Sequence, residues 1–520
     1  VSDVLAGLGL VIAALAAAGA ILLPAGRLRS LAMLTALVLF PVLILGDQWH
    51  SHEIADLRGS TGRLFALGLL AIAASAALAL VFRRWPILMP LAIVATLPFR
   101  VPLQAGGDTA NLLVPLYLVI AGGVLATALQ NWRVSHPLLP GGGTVGGPAP
   151  EDALATGRGG GSPAVTGPAG PTAWLSRLLA TVVVLYAVQA LYSEDFSKGL
   201  QNACFFFVPF SLVYGLLRDV VWDRKLLILV LWVVAIEAVC FVLVGTVEWA
   251  TRDLLWNDQV IRSNEFHTYF RVNSVFWDPN IYGRYLALVA VVAMSALLWA
   301  RERHTLALLT GLVAVLWIGL VPTFSQSSFA ALLGGLAVLA ALKWSVKWAL
   351  AAVGAVAILA MLVIVFAGGV SKLSPDRCNV DTGGRCNLIT GGAKLFAQRP
   401  LWGYGSGGFP KAYRQHIDTE KAPVSVSHTE PVTVAAEQGL VGLAAYVVLV
   451  VTALWTMGRG LSRRFSVART AVLATFVALL VHTMAYAGFF EDPITWVLLA
   501  VGVSLAAADR VSACRDTSAA

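Results

Sequence analysis

The 520-residue chain is short of charge: 12% of its residues are Asp, Glu, Lys or Arg, about half the share of an average soluble domain. Its 36 basic and 28 acidic side chains are too few to coat a soluble surface of that size. A mean hydropathy of +0.79 means that lipid takes the place of much of the water. A soluble globular enzyme is therefore not expected. Cysteine is scarce too: five are present, with no CxxC or Cys/His metal spacing. Cys204 and Cys240 fall inside apolar runs, as packing residues do. No Asp-x-Asp pair stands out to bridge a metal and a diphosphate, and no phosphate loop with its Lys-Ser/Thr pair is present. No metal and no cofactor is expected.

What the chain has in excess is apolar sequence, 58% of all residues. A helix that crosses a bilayer needs about 20 such residues, and about fifteen windows qualify between 4–23 and 494–508, including short runs at 87–99 and 349–369. The expected fold is all-α: a polytopic membrane helical bundle of about 12–15 transmembrane helices with a large extracytoplasmic loop. The net charge of +8 sits in short clusters between apolar runs, which is the signature of cytoplasmic loops and not of a nucleic-acid groove. Arg27 and Arg29, Arg83 and Arg84, Arg218 with Arg224 and Lys225, Arg301 and Arg303, Lys343 and Lys347, and Arg459 with Arg463, Arg464 and Arg469 alternate along the chain. Placing them inside puts the N-terminus outside, and the first apolar run reads as an anchor.

The organisation expected is N-terminal helices over 1–130, a flexible cytoplasmic Pro/Gly-rich linker over 131–172, and central helices over 173–369 with an outer loop at 250–279. A large extracytoplasmic loop over 370–435 and C-terminal helices over 436–520 follow. Long ordered loops in a compact protein are commonly functional, so the outer face is where a site is sought.

Asp278-Pro279 is a helix start, with Asp278 as N-cap and Pro279 in the first turn. Arg284 then lies about one turn into a membrane helix, either facing a polar cavity or snorkelling to the interface. Arg271 precedes that helix in a loop with Arg262, Glu265 and His267. In the second loop, Arg385 and Arg399 precede a glycine-rich stretch (Gly403, Gly405, Gly407 and Gly408) that allows a tight backbone path. Cys378 and Cys386 share this loop and are expected to form a disulfide in an oxidising compartment. Pro431 places His428 just before a helix N-terminus, where a neutral imidazole and a bound anion are both favoured; an interfacial histidine without chemistry is the other reading. Glu430 and Glu437 are about two turns apart and share a face. His482 lies in a later span, and Asp492 before Pro493 reads as a helix cap.

Taken in order, Arg271, Phe276-Trp277-Asp278-Pro279-Asn280, Arg385, Arg399-Pro400-Leu401-Trp402-Gly403-Tyr404-Gly405, His428 and Glu437-Gln438-Gly439-Leu440-Val441-Gly442 resemble the O-antigen ligase and Wzy-type polymerase superfamily over roughly residues 260–500. The resemblance implies a metal-independent, GT-C-like glycosyltransferase of the bacterial inner (plasma) membrane, with its site on the periplasmic or extracellular face. It implies transfer of a glycan from an undecaprenyl diphosphate carrier to a glycan, lipid or protein acceptor, with other envelope polysaccharide assembly proteins as partners. Arg271 and Arg385 match the arginines thought to hold the diphosphate, and His428 the essential loop histidine. Arg284 and Arg399 would be further diphosphate contacts, and Glu430 would orient His428 or bind sugar. Two other classes remain open: a transporter or flippase of a lipid-linked or anionic solute, which would rely on midplane residues such as Arg284, and a non-catalytic scaffold of an envelope complex.

Overall fold

A computed structural model describes residues 2–49, 61–105, 108–133, 171–255, 257–266, 269–347, 351, 354, 385–417, 424, 426–461 and 466–519. The chain starts with α1 (Ser2–Leu22), α2 (Arg27–Asp47), α3 (Thr61–Arg84) and the nine-residue α4 (Leu88–Thr96). An antiparallel hairpin of β1 (Val101–Ala105) and β2 (Asp108–Leu112) leads into α5 (Val114–Arg133). Next come α6 (Pro171–Ala190), α7 (Phe196–Leu217), α8 (Arg224–Thr251) and the short α9 (Asp258–Phe266). Then follow α10 (Pro279–Trp299), α11 (Arg303–Leu320) and α12 (Gln326–Lys343). Short α13 (Arg385–Gln398) and α14 (Phe409–His416) precede the closing α15 (Glu430–Gly458), α16 (Val467–Thr483) and α17 (Pro493–Ala519).

Among the described residues, eleven helices are long and apolar enough to cross a membrane, and α16 and α17 add shorter apolar stretches. The molecule is an all-α polytopic bundle. On α3, Phe65, Leu69, Leu70 and Ile72 are all exposed, the mark of a helix whose surroundings are lipid. The expected run at 87–99 is not a membrane-length helix: α4 ends at Thr96 and the chain goes over into the hairpin. Pro98 and the β-forming pattern after it stop the helix where hydropathy alone would extend it. Apart from residues 351 and 354, the expected span at 349–369 lies outside the described residues, as do 134–170 of the linker and 370–384 of the large loop.

The two ends of the bundle differ in chemistry. At one, Arg29 pairs with Asp219, Arg218 donates to the Leu23 carbonyl at 3.0 Å, Lys343 to that of Leu298 at 2.9 Å, and Arg469 binds Asp509 at 2.7 Å. This basic end satisfies helix carbonyls with cations. Asp278, Arg284, His428, Glu430 and Glu437 gather at the other. Between them the core is aromatic: Tyr186 stacks on Phe207 at 3.9 Å, and Phe207 meets Trp496 edge-on at 6.3 Å. Phe207 closes a π-helical turn (Ala203–Phe207) inside α7, a distortion frequent beside functional sites.

One long-range pairing places the site. Helix α15 is broken at Gly439 (φ 63°, ψ −161°), and the backbone groups the break releases need partners. The 400–405 turn supplies them. Tyr404 and Gly405 amides donate to the Ala436 and Glu437 carbonyls at 3.1 and 2.7 Å, and the Leu440 and Val441 amides donate to Pro400 and Leu401 at 2.7 and 3.4 Å. Gln189 of α6 takes the Gln438 carbonyl at 3.1 Å. The two motifs are thus the two halves of one backbone joint. A Cβ at Gly439 would collide with the Leu401 backbone, and one at Gly403 with that of Glu437. We therefore expect Gly439→Ala to lower stability by about 1–3 kcal/mol or more, from the left-handed backbone and the collision. Thermal unfolding in detergent measures it, and an unchanged midpoint would contradict the joint.

Candidate active site

Arg271 reaches the site because the loop before α10 is pinned at several points. Asn264 of α9 bonds both the amide and the carbonyl of Arg271 at 3.0 Å. The guanidinium donates through Nε to the Thr323 carbonyl at 2.9 Å and through a terminal nitrogen to Asn280 Oδ1 at 3.2 Å. Asp278 caps α10 through the Asn280 amide at 2.6 Å, as its position before Pro279 predicts, and its other oxygen accepts from the Tyr486 hydroxyl at 3.3 Å. Burial works against the charge of Arg271; nearby Asp278 supports it, and Arg385 opposes it. Guanidinium stays protonated through such shifts.

His428 precedes α15, with Thr429 as N-cap and Pro431 in the first turn, as expected. Its backbone is left-handed (φ 61°), a strained state for a residue with a Cβ that only a firm surrounding holds. Ser427 Oγ lies 2.7 Å from Thr433 Oγ1 and donates to the Thr429 carbonyl at 2.8 Å, and Thr429 Oγ1 donates to the Met484 carbonyl at 3.1 Å. The ring lies across Tyr486 with centroids 6.4 Å apart. Burial pushes the His428 pKa below the usual 6.5, Arg385 pushes it further down, and Asp278 opposes them. Burial and Arg385 both favour the neutral imidazole. Arg271 and Asp278 from the loop before α10, Arg385 and His428 thus come from three segments, and Asp278 and Arg385 each act electrostatically on both Arg271 and His428.

His428 also faces a cavity of about 560 Å³. Its acidic residues are largely committed to structure. Glu437 accepts from the Gly407 and Phe409 amides at 2.8 and 3.1 Å, and Glu430 from those of Gly488 and Phe489 at 2.7 and 3.0 Å. Both glutamates border the cavity, as their shared face predicts. Asp492 caps α17 through the Ile494 amide at 2.9 Å, as expected, and also pairs with Arg284 at 2.7 Å, the two side chains being 3% and 4% exposed. Arg284 thus borders the cavity with its charge already matched. Arg399 does not reach the cavity: it binds Glu194 at 3.4 Å and lies over the Tyr404 ring at 4.3 Å, bracing the glycine-rich turn from outside. Cys386 is disulfide-bonded; its expected partner Cys378, like His267, lies outside the described residues.

Several residues escaped the reading of the sequence. Ser325 Oγ bonds Asn280 Oδ1 at 2.9 Å and Ser328 Oγ at 2.8 Å, while Ser327 Oγ lies 3.2 Å from His482 Nε2. This buried ladder supports the side chain that Arg271 uses, and its signal was the Ser325–Ser328 polar run between two apolar spans. Tyr486, Arg100, Lys198 and Arg414 also face the cavity, and nothing in their local sequence marks them. Among the described residues, no three His, Cys, Asp or Glu side chains are grouped to hold a metal ion.

Fold and site together define a polytopic membrane protein with one strongly polar pocket at one end of its bundle. A family model described as O-antigen ligase matches residues 311–447, the stretch that contains the serine ladder, Arg385, the 400–405 turn, His428 and the α15 break. The resemblance to the O-antigen ligase and Wzy-type superfamily holds there, and supports a function of the ligase or polymerase type in polysaccharide biosynthesis. No curated protein matches the chain.

The Arg284–Asp492 pair allows a direct test of the site's electrostatics. Removing one member of a buried pair leaves an uncompensated charge and costs about 3–5 kcal/mol, whereas replacing both by apolar residues can be neutral. Arg284→Met or Asp492→Leu alone should lower the thermal midpoint strongly, and the double variant should recover most of it. Additive losses would show that the pair is not coupled.

Proposed function

We propose that this protein is a membrane glycosyltransferase that moves a glycan from a polyprenyl diphosphate carrier to an acceptor hydroxyl at the extracytoplasmic face. The observation that carries the reading is the convergence of Arg385 and Asp278 on both Arg271 and a strained histidine, His428, which itself lines a polar cavity that the two arginines do not line. Displacing a lipid diphosphate builds negative charge on the leaving group. Arg271 and Arg385 neutralise that charge and offer paired hydrogen bonds, without the need for a metal bridge. The acceptor hydroxyl loses its proton as its oxygen bonds to the anomeric carbon, and His428 takes that proton. The C–O bond to the diphosphate breaks with its electron pair, and one direct displacement inverts the anomeric configuration.

Two further features support it. An apolar groove of about 460 Å³ runs along the bundle from Arg224 to Tyr285 and Ile494. A small pocket of about 10 Å³, lined by Tyr285, Ile494, Arg100 and Arg284 among others, lies between them and shares residues with both this groove and the polar cavity. A prenyl chain fits the groove while its diphosphate sits at the polar end. The basic end of the bundle carries the clusters that the positive-inside rule assigns to the cytoplasm, so the site belongs outside. The reading as a transporter leans on Arg284, and Asp492 already neutralises that charge.

In a deletion strain, wild type restores surface glycan chains, while His428→Ala and Arg385→Ala at matched membrane levels do not, and Arg399→Gln keeps most of the activity. Single repeat units left without the protein identify a polymerase, and full-length glycan left on the carrier a ligase. Full rescue by both site variants would refute the assignment. The depressed pKa of His428 sets the pH response, because a general base works deprotonated: the acid limb of kcat/KM should have its midpoint below 6.5. A limb centred above that value contradicts His428 as the base.

A further inference from the structure

Five carboxylates and four Lys or Arg side chains line the cavity, but their direct partners are unevenly shared. Its acids are mostly spent: Glu430 and Glu437 on backbone amides, Asp492 on Arg284, and Asp195 on capping the Lys198 amide at 3.1 Å. Three cations remain: Arg100 from the segment after α4, Lys198 from the first turn of α7, and Arg414 from α14. Their side chains make no hydrogen bond or ion pair among the described residues; Lys198 and Arg414 are exposed to the cavity mouth, and Arg100 is half-buried. Asp195 and Glu491 lie along the same wall, Glu491 near Arg100 and Lys198, without bonding any of the three side chains. Three elements distant in sequence have brought cations to one concave surface without a direct hydrogen-bonded or ion-paired partner among the described residues, and an anion would supply one.

We propose that Arg100, Lys198 and Arg414 form a second anion-binding subsite, which holds a negatively charged group of the acceptor while Arg271 and Arg385 hold the donor diphosphate. The inference rests on the proposed transferase reading and specifies its acceptor as anionic. One chemistry has two sources here: the carboxylate of an acidic sugar in the acceptor glycan, or the diphosphate of a second carrier lipid. Either would place the acceptor's reducing side on the α7 and α14 wall, with its attacking hydroxyl turned toward His428.

The test is binding, which needs no turnover and so fails separately from the transferase reading. The full chain in lipid nanodiscs is titrated with two probes. One is a glucuronic acid-containing tetrasaccharide beside its carboxyl-reduced form, and the other is undecaprenyl diphosphate. We expect wild type to bind at least one charged probe in a salt-sensitive manner, and Lys198→Gln/Arg414→Gln, altered only at exposed side chains, to lose at least tenfold in affinity. Loss confined to the acidic tetrasaccharide identifies a sugar carboxylate. An equivalent of undecaprenyl diphosphate that survives Arg271→Gln/Arg385→Gln but disappears when Lys198→Gln/Arg414→Gln is added identifies a second carrier lipid. Unchanged binding of both probes by the folded double variant overturns the subsite, as does a wild type that binds neither.

Discussion

Everything at the polar end depends on the break in α15. A continuous helix from Glu430 to Gly458 would satisfy its own backbone and leave the 400–405 turn nothing to bind. Because Gly439 adopts a left-handed conformation, the carbonyls and amides around it are released, and the turn docks on them with four backbone hydrogen bonds. Docking brings the Gly407 and Phe409 amides onto Glu437 and sets the direction of the first turns of α15. The position of His428, two residues before that helix, is therefore a consequence of a joint centred on Gly439, three turns further on.

A second constraint is electrostatic. Buried charge in a membrane bundle is costly unless matched, and the molecule matches most of it in place. Asp492 both caps α17 and neutralises Arg284, and two glutamates hold loops by their amides. Asp278 caps α10, accepts from Tyr486, and supports the charge of Arg271. The cations without a direct partner among the described residues, Arg100, Lys198 and Arg414, lie along one cavity wall.

Much of this was legible beforehand because it follows from local rules. Caps before proline at Asp278 and Asp492, the start of α15, and the apolar spans all follow from neighbouring residues. The run at 87–99 misled because hydropathy does not record where Pro98 and a hairpin stop a helix. Arg284 and Arg399 look equivalent in sequence, as arginines near apolar segments. They differ because Asp492, more than 200 positions from Arg284, meets it in the bundle, and because Glu194 holds Arg399 on the outside of the glycine-rich turn.

Fold class, most of the apolar spans and the helix caps were thus legible in the amino-acid order alone, since hydropathy and capping are properties of short stretches. Tertiary structure decided which charges were spent and which stayed free. Pairing between helices distant in the chain neutralised Arg284, left the Arg100, Lys198 and Arg414 side chains without hydrogen-bonded partners among the described residues, and joined the two glycine motifs through their backbones. Such pairing depends on which helix faces meet, and no local pattern encodes that.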